Sequence, residues 1–220
     1  MLGGDIAGTI STTIARLFIL VIAFTIHEFA HAWTANRFGD DTPRLAGRLT
    51  LNPLVHLDPI GSLLLLVAGF GWAKPVPINP YKLYGHSRSA VMWVSLAGPL
   101  SNLAMAFLAA LPFQLGLVSL SQLFMPQTGF LPTPAEFLYQ FILINLVLFI
   151  FNLFPIAPLD GEKVIGYFLP SSWTRTMETL RPYGPLILMA VVFVGPALGF
   201  DVLYYVLWLP SQAMLNILVG

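Results

Sequence analysis

The chain has 220 residues, 57% of them hydrophobic and only 9% charged, with a formal net charge of zero and no cysteine. Soluble domains carry about 25% charged residues, so the natural solvent for this composition is lipid. Neutrality gives no footprint for a nucleic-acid partner, and the missing thiols exclude disulfides, cysteine nucleophiles and cysteine metal sites.

The N-terminal stretch does not read as a cleaved signal peptide, because Asp5 precedes the first cation, Arg16, and the apolar run leads straight into a polar cluster. That run predicts a first membrane-length helix over about 11–37, ended by Gly39 and Asp40-Asp41. Residues 38–87 form a mixed connection rich in Gly and Pro. Its apolar part, "DPIGSLLLLVAGFGW" (58–72), is short of the roughly 20 residues a span needs and reads as re-entrant or interfacial. "GRLTLNP" alternates Leu49 and Leu51 with Arg48 and Thr50, as a two-sided strand does. "AKPVPINP" is also extended in character, with Pro75 and Pro77 restricting it to an edge. The 44–80 connection is therefore expected to present an extended edge. A second span follows at about 88–115, then a loop without Lys or Arg, then a third span at about 135–153 that stops in the proline-rich "NLFPIAPLDG" (152–161). A polar connection runs to about Pro182. Two further apolar stretches, about 183–197 and 199–219, are separated by Gly195-Pro196 and predict a helical hairpin. There is no internal repeat. The expected architecture is a single all-α polytopic membrane domain over 1–220, with about five spans, a core over about 11–165 and a C-terminal hairpin over about 183–219.

The cations set an orientation. Arg37, Arg44, Arg48, Lys74, Lys82 and Arg88 lie in or flank the first connection, and Lys163, Arg175 and Arg181 lie in the connection after the third span. Only Arg16 disagrees. Nine of ten cations thus fit an external N-terminus, with both basic connections cytoplasmic and, for five spans, the C-terminus inside.

Against this background stands "TIHEFAHAW" (25–33). His27 and His31 are four apart, hence one turn apart on one helix face, where their imidazoles can share a metal ion. Glu28, next to His27, can act as base toward the water such an ion activates. This is the HExxH pattern. With four His and four Glu in the chain, chance gives such a motif roughly one time in a thousand. The bland alternative is a pair of buried histidines satisfied by neighbouring helices, but ionisable groups inside a membrane are costly and usually functional. A zinc protease needs a third protein ligand and an open fourth position. Asp58, Glu136, Asp160, Glu162 and Asp201 are the acidic residues near apolar spans, and His56 and His86 the other histidines. Asp160 follows the proline-broken end of the third span on the same membrane side as His31. Spacing alone leaves it either a ligand or the N-cap of a short helix.

Three segments together, HEFAH at 27–31, "AGPLSN" at 97–102 and "NLFPIAPLDG" at 152–161, resemble the core motifs of the site-2 protease family of intramembrane zinc metalloproteases, in the family's order and each on a separate span. "LNPLVHLDPIG" (51–61) and "GFGWAKPVPINP" (69–80) look like its compact prokaryotic branch. The resemblance covers about residues 20–165. It implies one zinc ion bound by His27, His31 and Asp160, Glu28 as catalytic base, substrate-backbone contact by Asn152, and a membrane-associated β-hairpin between the first two core spans. It also implies a transmembrane protein substrate, cut near the cytoplasmic side of a prokaryotic cell membrane. No insertion is long enough for a PDZ domain.

The other residues carry weaker signals. Ala97, Gly98 and Ser101 are small enough to let a neighbouring helix approach closely. Asn102 is an amide in a span and needs a partner. It either donates to a substrate carbonyl or oxyanion, or hydrogen-bonds across helices. His56 reads as a loop hydrogen-bonding residue ahead of a metal ligand, and His86 as an interfacial loop residue. Trp72, Trp93, Trp173, Tyr183 and Trp208 fall mostly near span ends, as interface anchors do. The rival readings are a CAAX-type membrane zinc protease with a glutamate as third ligand, a membrane metal transporter or sensor, and an inactive scaffold.

Overall fold

The computed structural model describes residues 2–68, 71–124 and 131–220. Helix α1, Leu2–Arg37, carries the HEFAH segment near its C-terminal end. Arg37 in its last turn complements the helix dipole, and Gly39, at φ 85°, supplies the left-handed residue that turns the chain out of the helix. The first connection contains α2 (Thr42–Leu45), a 3₁₀ turn at Pro53–Val55, α3 (Pro59–Ala68) and α4 (Pro80–His86). Each short element has a local cause. Asn52 caps the 3₁₀ turn through Leu54 N, Asp58 accepts from Ile60 N and Gly61 N, and Asn79 accepts from Tyr81 N. The second core helix is α5 (Ala90–Gln114) and the third α6 (Pro134–Asn152), which opens on a Thr133/Glu136 capping box with Pro134 at its first position. Beyond it come α7 (Asp160–Phe168), α8 (Ser171–Leu180), α9 (Gly184–Met189), a π-helical stretch at Ala190–Val194, α10 (Gly195–Ala197), a second π stretch at Tyr204–Trp208 and α11 (Leu209–Val219).

Helix α5 is the central post, packed against α1 on one side, α6 on another and α7 below. Ala106, Ala110 and Phe113 of α5 meet Ile142 and Leu146 of α6 and Leu215 and Leu218 of α11 in one buried cluster. Alanines at the crossing bring the helix backbones together, which is how helices associate where lipid removes the hydrophobic drive. Phe18 on α1 and Phe107 and Leu108 on α5 are exposed, as side chains facing lipid are.

Among the described residues, four helices are long and apolar enough to cross a bilayer: Ile10–Arg37, Ala90–Gln114, Pro134–Asn152 and Arg175–Val194. The first three match the expected core spans. The fourth begins earlier than the expected 183. The fifth expected span, about 199–219, is not among them; there a helical run over 202–219 follows the turn at Gly199 (φ 82°), opened by Asp201 accepting from Tyr204 N.

The expected extended edge and β-hairpin take a different form. Among the described residues there is no strand, and the 44–80 connection contains a single isolated antiparallel bridge, Leu57 to Ala73, beside a hydrogen bond from Lys74 N to His56 O. The alternation of "GRLTL" misleads because the buried member is Arg48, while Leu51 is exposed. The Arg48 guanidinium donates to Val55 O, Lys74 O and Pro75 O, the carbonyls a neighbouring strand would otherwise bond. Pro75, Pro77 and Pro80 offer no N–H, so the extended 71–79 segment cannot complete a ladder.

Candidate metal centre

One turn apart on α1, the His27 and His31 rings lie edge to face with centroids 4.6 Å apart. Each ring is held from behind through Nδ1. His31 Nδ1 lies 2.6 Å from Val94 O of α5. A carbonyl only accepts, so Nδ1 carries a proton, and in the neutral ring a metal ligand must be, Nε2 is the lone pair. Pro99 lies in the next turn of that helix, where its missing N–H leaves Ser95 O without the usual partner.

His27 Nδ1 lies 2.7 Å from Asn102 Oδ1 of α5. Asn102 Nδ2 donates to Asn145 Oδ1 of α6 at 2.9 Å, and Asn145 Nδ2 donates to Phe141 O, one turn back on its own helix, at 2.8 Å. Both asparagines are fully buried. The polarity of this chain is fixed at its far end. Phe141 O must accept, so Asn145 turns its nitrogen there and its oxygen to Asn102. Asn102 then offers its oxygen to His27, whose Nδ1 must donate.

Both Nε2 atoms therefore face inward as lone pairs, 3.0 Å apart. Asp160 Oδ2 lies 3.1 Å from His31 Nε2 and 3.2 Å from His27 Nε2. These three atoms form a nearly equilateral triangle. A proton bridges one side of such a triangle, whereas a metal ion satisfies all three corners. A tetrahedral ion with bonds of about 2.0–2.1 Å spaces its ligand atoms about 3.4 Å apart, close to what is seen. Among the described residues this is the group of His, Cys, Asp or Glu side chains with ligand atoms converging in this way. The donor set fits zinc.

Two glycines make the room. A Cβ on Gly98 would lie 2.3 Å from His31 Nε2 and 2.6 Å from His27 Nε2, so the bare face of α5 is where both imidazoles rest. A Cβ on Gly161 would lie 2.2 Å from Leu153 O, so the turn carrying Asp160 folds directly against the end of α6. Helix α7 begins at Asp160 after Leu159 as N-cap, with no side-chain cap hydrogen bond. The Asp160 carboxylate is turned to the histidines instead, and its place in the first turn suits the helix dipole.

Glu28 is buried, and its Oε2 accepts from Val76 N at 3.1 Å. The extended segment after α3 thus runs beside the carboxylate. Asn102 sits behind His27, with its amide nitrogen committed to Asn145. Of its two sequence-level roles, the cross-helix hydrogen bond is the one seen. Asn152, half-buried at the end of α6, donates to Leu148 O. His56 is fully buried with Nε2 donating to Thr50 O at 2.8 Å, and lies outside the triangle. His86 is exposed and stacks edge-on to Phe38. Sequence reasoning missed Asn145, although a lone amide inside "FILINLVLF" was the available signal, and it credited Gly98 only with helix packing.

Residues 15–194 match the model of peptidase family M50. The chain belongs to that family. A Bacillus subtilis relative named "Putative zinc metalloprotease YwhC" is 45% identical, over 86% of this chain and 82% of its own length. Two mycobacterial relatives named "Putative zinc metalloprotease Rip2" are 34% identical in Mycolicibacterium smegmatis and 32% in Mycobacterium tuberculosis, each over 92% of this chain and 80% of its own. No solved structure gives a significant match. Membership in M50 and the zinc in the relatives' names agree with the donor set of the triangle and with four membrane-length helices around it.

Proposed function

We propose that this M50 protein is an intramembrane zinc endopeptidase that hydrolyses a peptide bond of a transmembrane protein near the cytoplasmic side of a prokaryotic cell membrane. The observation that carries it is the triangle of His27 Nε2, His31 Nε2 and Asp160 Oδ2 with sides of 3.0–3.2 Å, beside the buried Glu28. Zinc held by those three residues supplies Lewis acidity, which acidifies water and polarises a carbonyl. Glu28 takes the proton from the attacking water as oxygen bonds to the scissile carbon, then delivers it to the nitrogen as the C–N bond breaks. Val94 O and Asn102 Oδ1 hold the imidazoles with Nε2 inward throughout. The six cations in or flanking the first connection, with Lys163 after the third span, support the cytoplasmic side. The whole chain acts as one domain in this reading.

A helical substrate hides its peptide bonds in its own hydrogen bonds, so it must unwind to react, and unwound backbone in a dry setting needs partners. Asn152 at the end of α6 and the extended 71–79 segment are the groups proposed to supply them. Asp160 within the triangle favours this reading over a CAAX-type enzyme with a glutamate ligand, and a single ligand cluster among the described residues disfavours a transporter.

The test uses the purified full chain. Glu28→Gln should keep one zinc per chain and lose cleavage of a transmembrane substrate, because the amide cannot accept the proton. Asp160→Ala should lose the zinc. Substantial cleavage by Glu28→Gln, or full zinc in Asp160→Ala, would reject the assignment.

A further inference from the structure

We infer that Asn145 is a positioning residue for the metal centre: acting through Asn102, it selects the tautomer of His27, so that the zinc ligand on α1 is set by a backbone carbonyl on α6. This rests on the reading of His27, His31 and Asp160 as zinc ligands.

The two histidines differ in how they are held. His31 faces Val94 O, a backbone carbonyl that can only accept, and its Nδ1 has no alternative to carrying the proton. His27 faces a carboxamide. An asparagine end group has almost the same shape with oxygen and nitrogen exchanged. If Asn102 turned its nitrogen to His27, Nδ1 would accept, the proton would sit on Nε2, and the triangle would lose one of its lone pairs. Nothing in the Asn102–His27 contact itself forbids this. The choice is made one step further on, where Asn102 Nδ2 meets Asn145 Oδ1 at 2.9 Å, and is settled where Asn145 Nδ2 meets Phe141 O at 2.8 Å. The three side chains sit on α1, α5 and α6, and Asn102 and Asn145 are fully buried, so water does not offer either amide an alternative partner. The Asn145 side chain hydrogen-bonds to Asn102 and Phe141 O, and to none of the three ligand residues. Its influence is orientational and passes only through a residue able to flip.

That last property gives the test. In the full chain purified in detergent, Asn145→Leu should weaken zinc affinity about 10–100-fold, the usual scale for outer-shell partners, measured by competition with a chromophoric chelator. Asn102→Asp offers oxygen from either end and cannot present a donor while ionised, so it holds His27 in the correct tautomer unaided. Adding Asn145→Leu to Asn102→Asp should then cost no further affinity. In zinc-free protein labelled with ¹⁵N-histidine, Asn145→Leu should shift His27 from Nδ1–H toward Nε2–H and leave His31 unchanged. Asn145→Ala, smaller and free of strain, carries the same expectations where the leucine variant does not fold. Unchanged zinc affinity in Asn145→Leu, or an equal loss with and without Asn102→Asp, overturns the relay. Wild-type protein that binds no zinc overturns the metal reading itself, and the relay with it.

Discussion

Two buried polar clusters within this membrane domain differ in what their charged and ligating atoms face. In the first connection, Asp40 accepts from Thr42 N and Asn79 N, and Arg48 donates to Val55 O, Lys74 O and Pro75 O. Both are buried, and both charges are met by backbone groups of opposite polarity. His56 adds a bond to Thr50 O, with its other ring nitrogen unpartnered. Asp40 and Arg48 call for no ligand. At the metal centre the hydrogen-bonding partners stand behind the imidazoles, and what faces inward is three lone pairs at 3.0–3.2 Å. Burial of polar groups is common to both clusters. What marks the second as a site is convergence of like polarity, which only a cation completes.

The largest expected effect comes from filling the space in which that convergence occurs. Gly98→Ala puts a methyl group within 2.3 and 2.6 Å of the two Nε2 atoms. The atoms in the way are ring nitrogens already clamped at Nδ1, so the imidazoles must leave their hydrogen bonds to make room. Purified Gly98→Ala protein should contain almost no zinc by elemental analysis while remaining helical. Retention of one zinc per chain would mean the rings can retreat, and that the triangle is looser than its distances say.

The contrast between the clusters also explains what was legible in the sequence. The HExxH spacing follows from the helical repeat, so His27, Glu28 and His31 were readable as a unit. The three core spans were readable from apolar runs, with expected bounds of about 11–37, 88–115 and 135–153 against Leu2–Arg37, Ala90–Gln114 and Pro134–Asn152. Asp160 could be placed at the same end of the spans as His31, beside which it lies, but spacing left it between ligand and cap. The strand read from the alternation of "GRLTL" is not seen among the described residues, because alternation reports which side chains share a face, and not which face is buried. Arg48 was read as a polar side chain on a strand, but it is buried and bonds backbone carbonyls up to 27 positions away. Asn145, Gly98 and the Val76 amide act across 43 to 71 positions of sequence, and no local pattern encodes that reach.

Breaking the Asp40 bonds in the first cluster should harm the fold and spare the metal. Asp40→Ala leaves the Thr42 and Asn79 amides without their acceptor, a cost of about 3 kcal/mol for two buried donors. In detergent the melting temperature should fall by about 10 °C, and the folded fraction should keep its full zinc content. Loss of zinc in step with the melting temperature would merge the two clusters into one unit.

A smaller effect is expected where the clusters touch. Val76 N is the donor on Glu28 Oε2 and comes from the segment that Arg48 and Asp40 pin down. Val76→Pro removes that N–H in an already proline-rich extended run, while Val76→Ala keeps it. A hydrogen bond to a charged group is worth about 1.5–3 kcal/mol, so kcat should fall at least about tenfold in the proline variant, with zinc content unchanged and the alanine variant near wild type. A faster proline variant would instead mean that the segment obstructs the base.

The smallest effect belongs to the residue beside Asp40. Asp41 is exposed, and its carboxylate bonds the Lys82 ammonium. The hydrogen bond from Lys82, and then its charge, hold the Asp41 carboxyl below its ordinary value, and the same bond raises Lys82 above its own. A depressed acid contributes stability above its unfolded pKa, near pH 4, and loses it as pH falls through the folded value. A raised amine contributes below its unfolded pKa, near pH 10, and loses it as pH rises through the folded value. The pair is therefore fully formed across neutral pH. Water and salt nevertheless screen it, since both side chains are more than 40% exposed. Lys82→Met should leave the melting temperature at pH 7 and 0.15 M salt unresolved from wild type, and so should Asp41→Asn. Asp40 and Asp41 are adjacent, with the same side chain and the same connection to hold. The difference is that Asp40 replaces water for a backbone amide 39 residues away, whereas Asp41 competes with water for a flexible amine. A fall in melting temperature for Lys82→Met as large as that for Asp40→Ala would show that the first connection is held from its surface rather than from within.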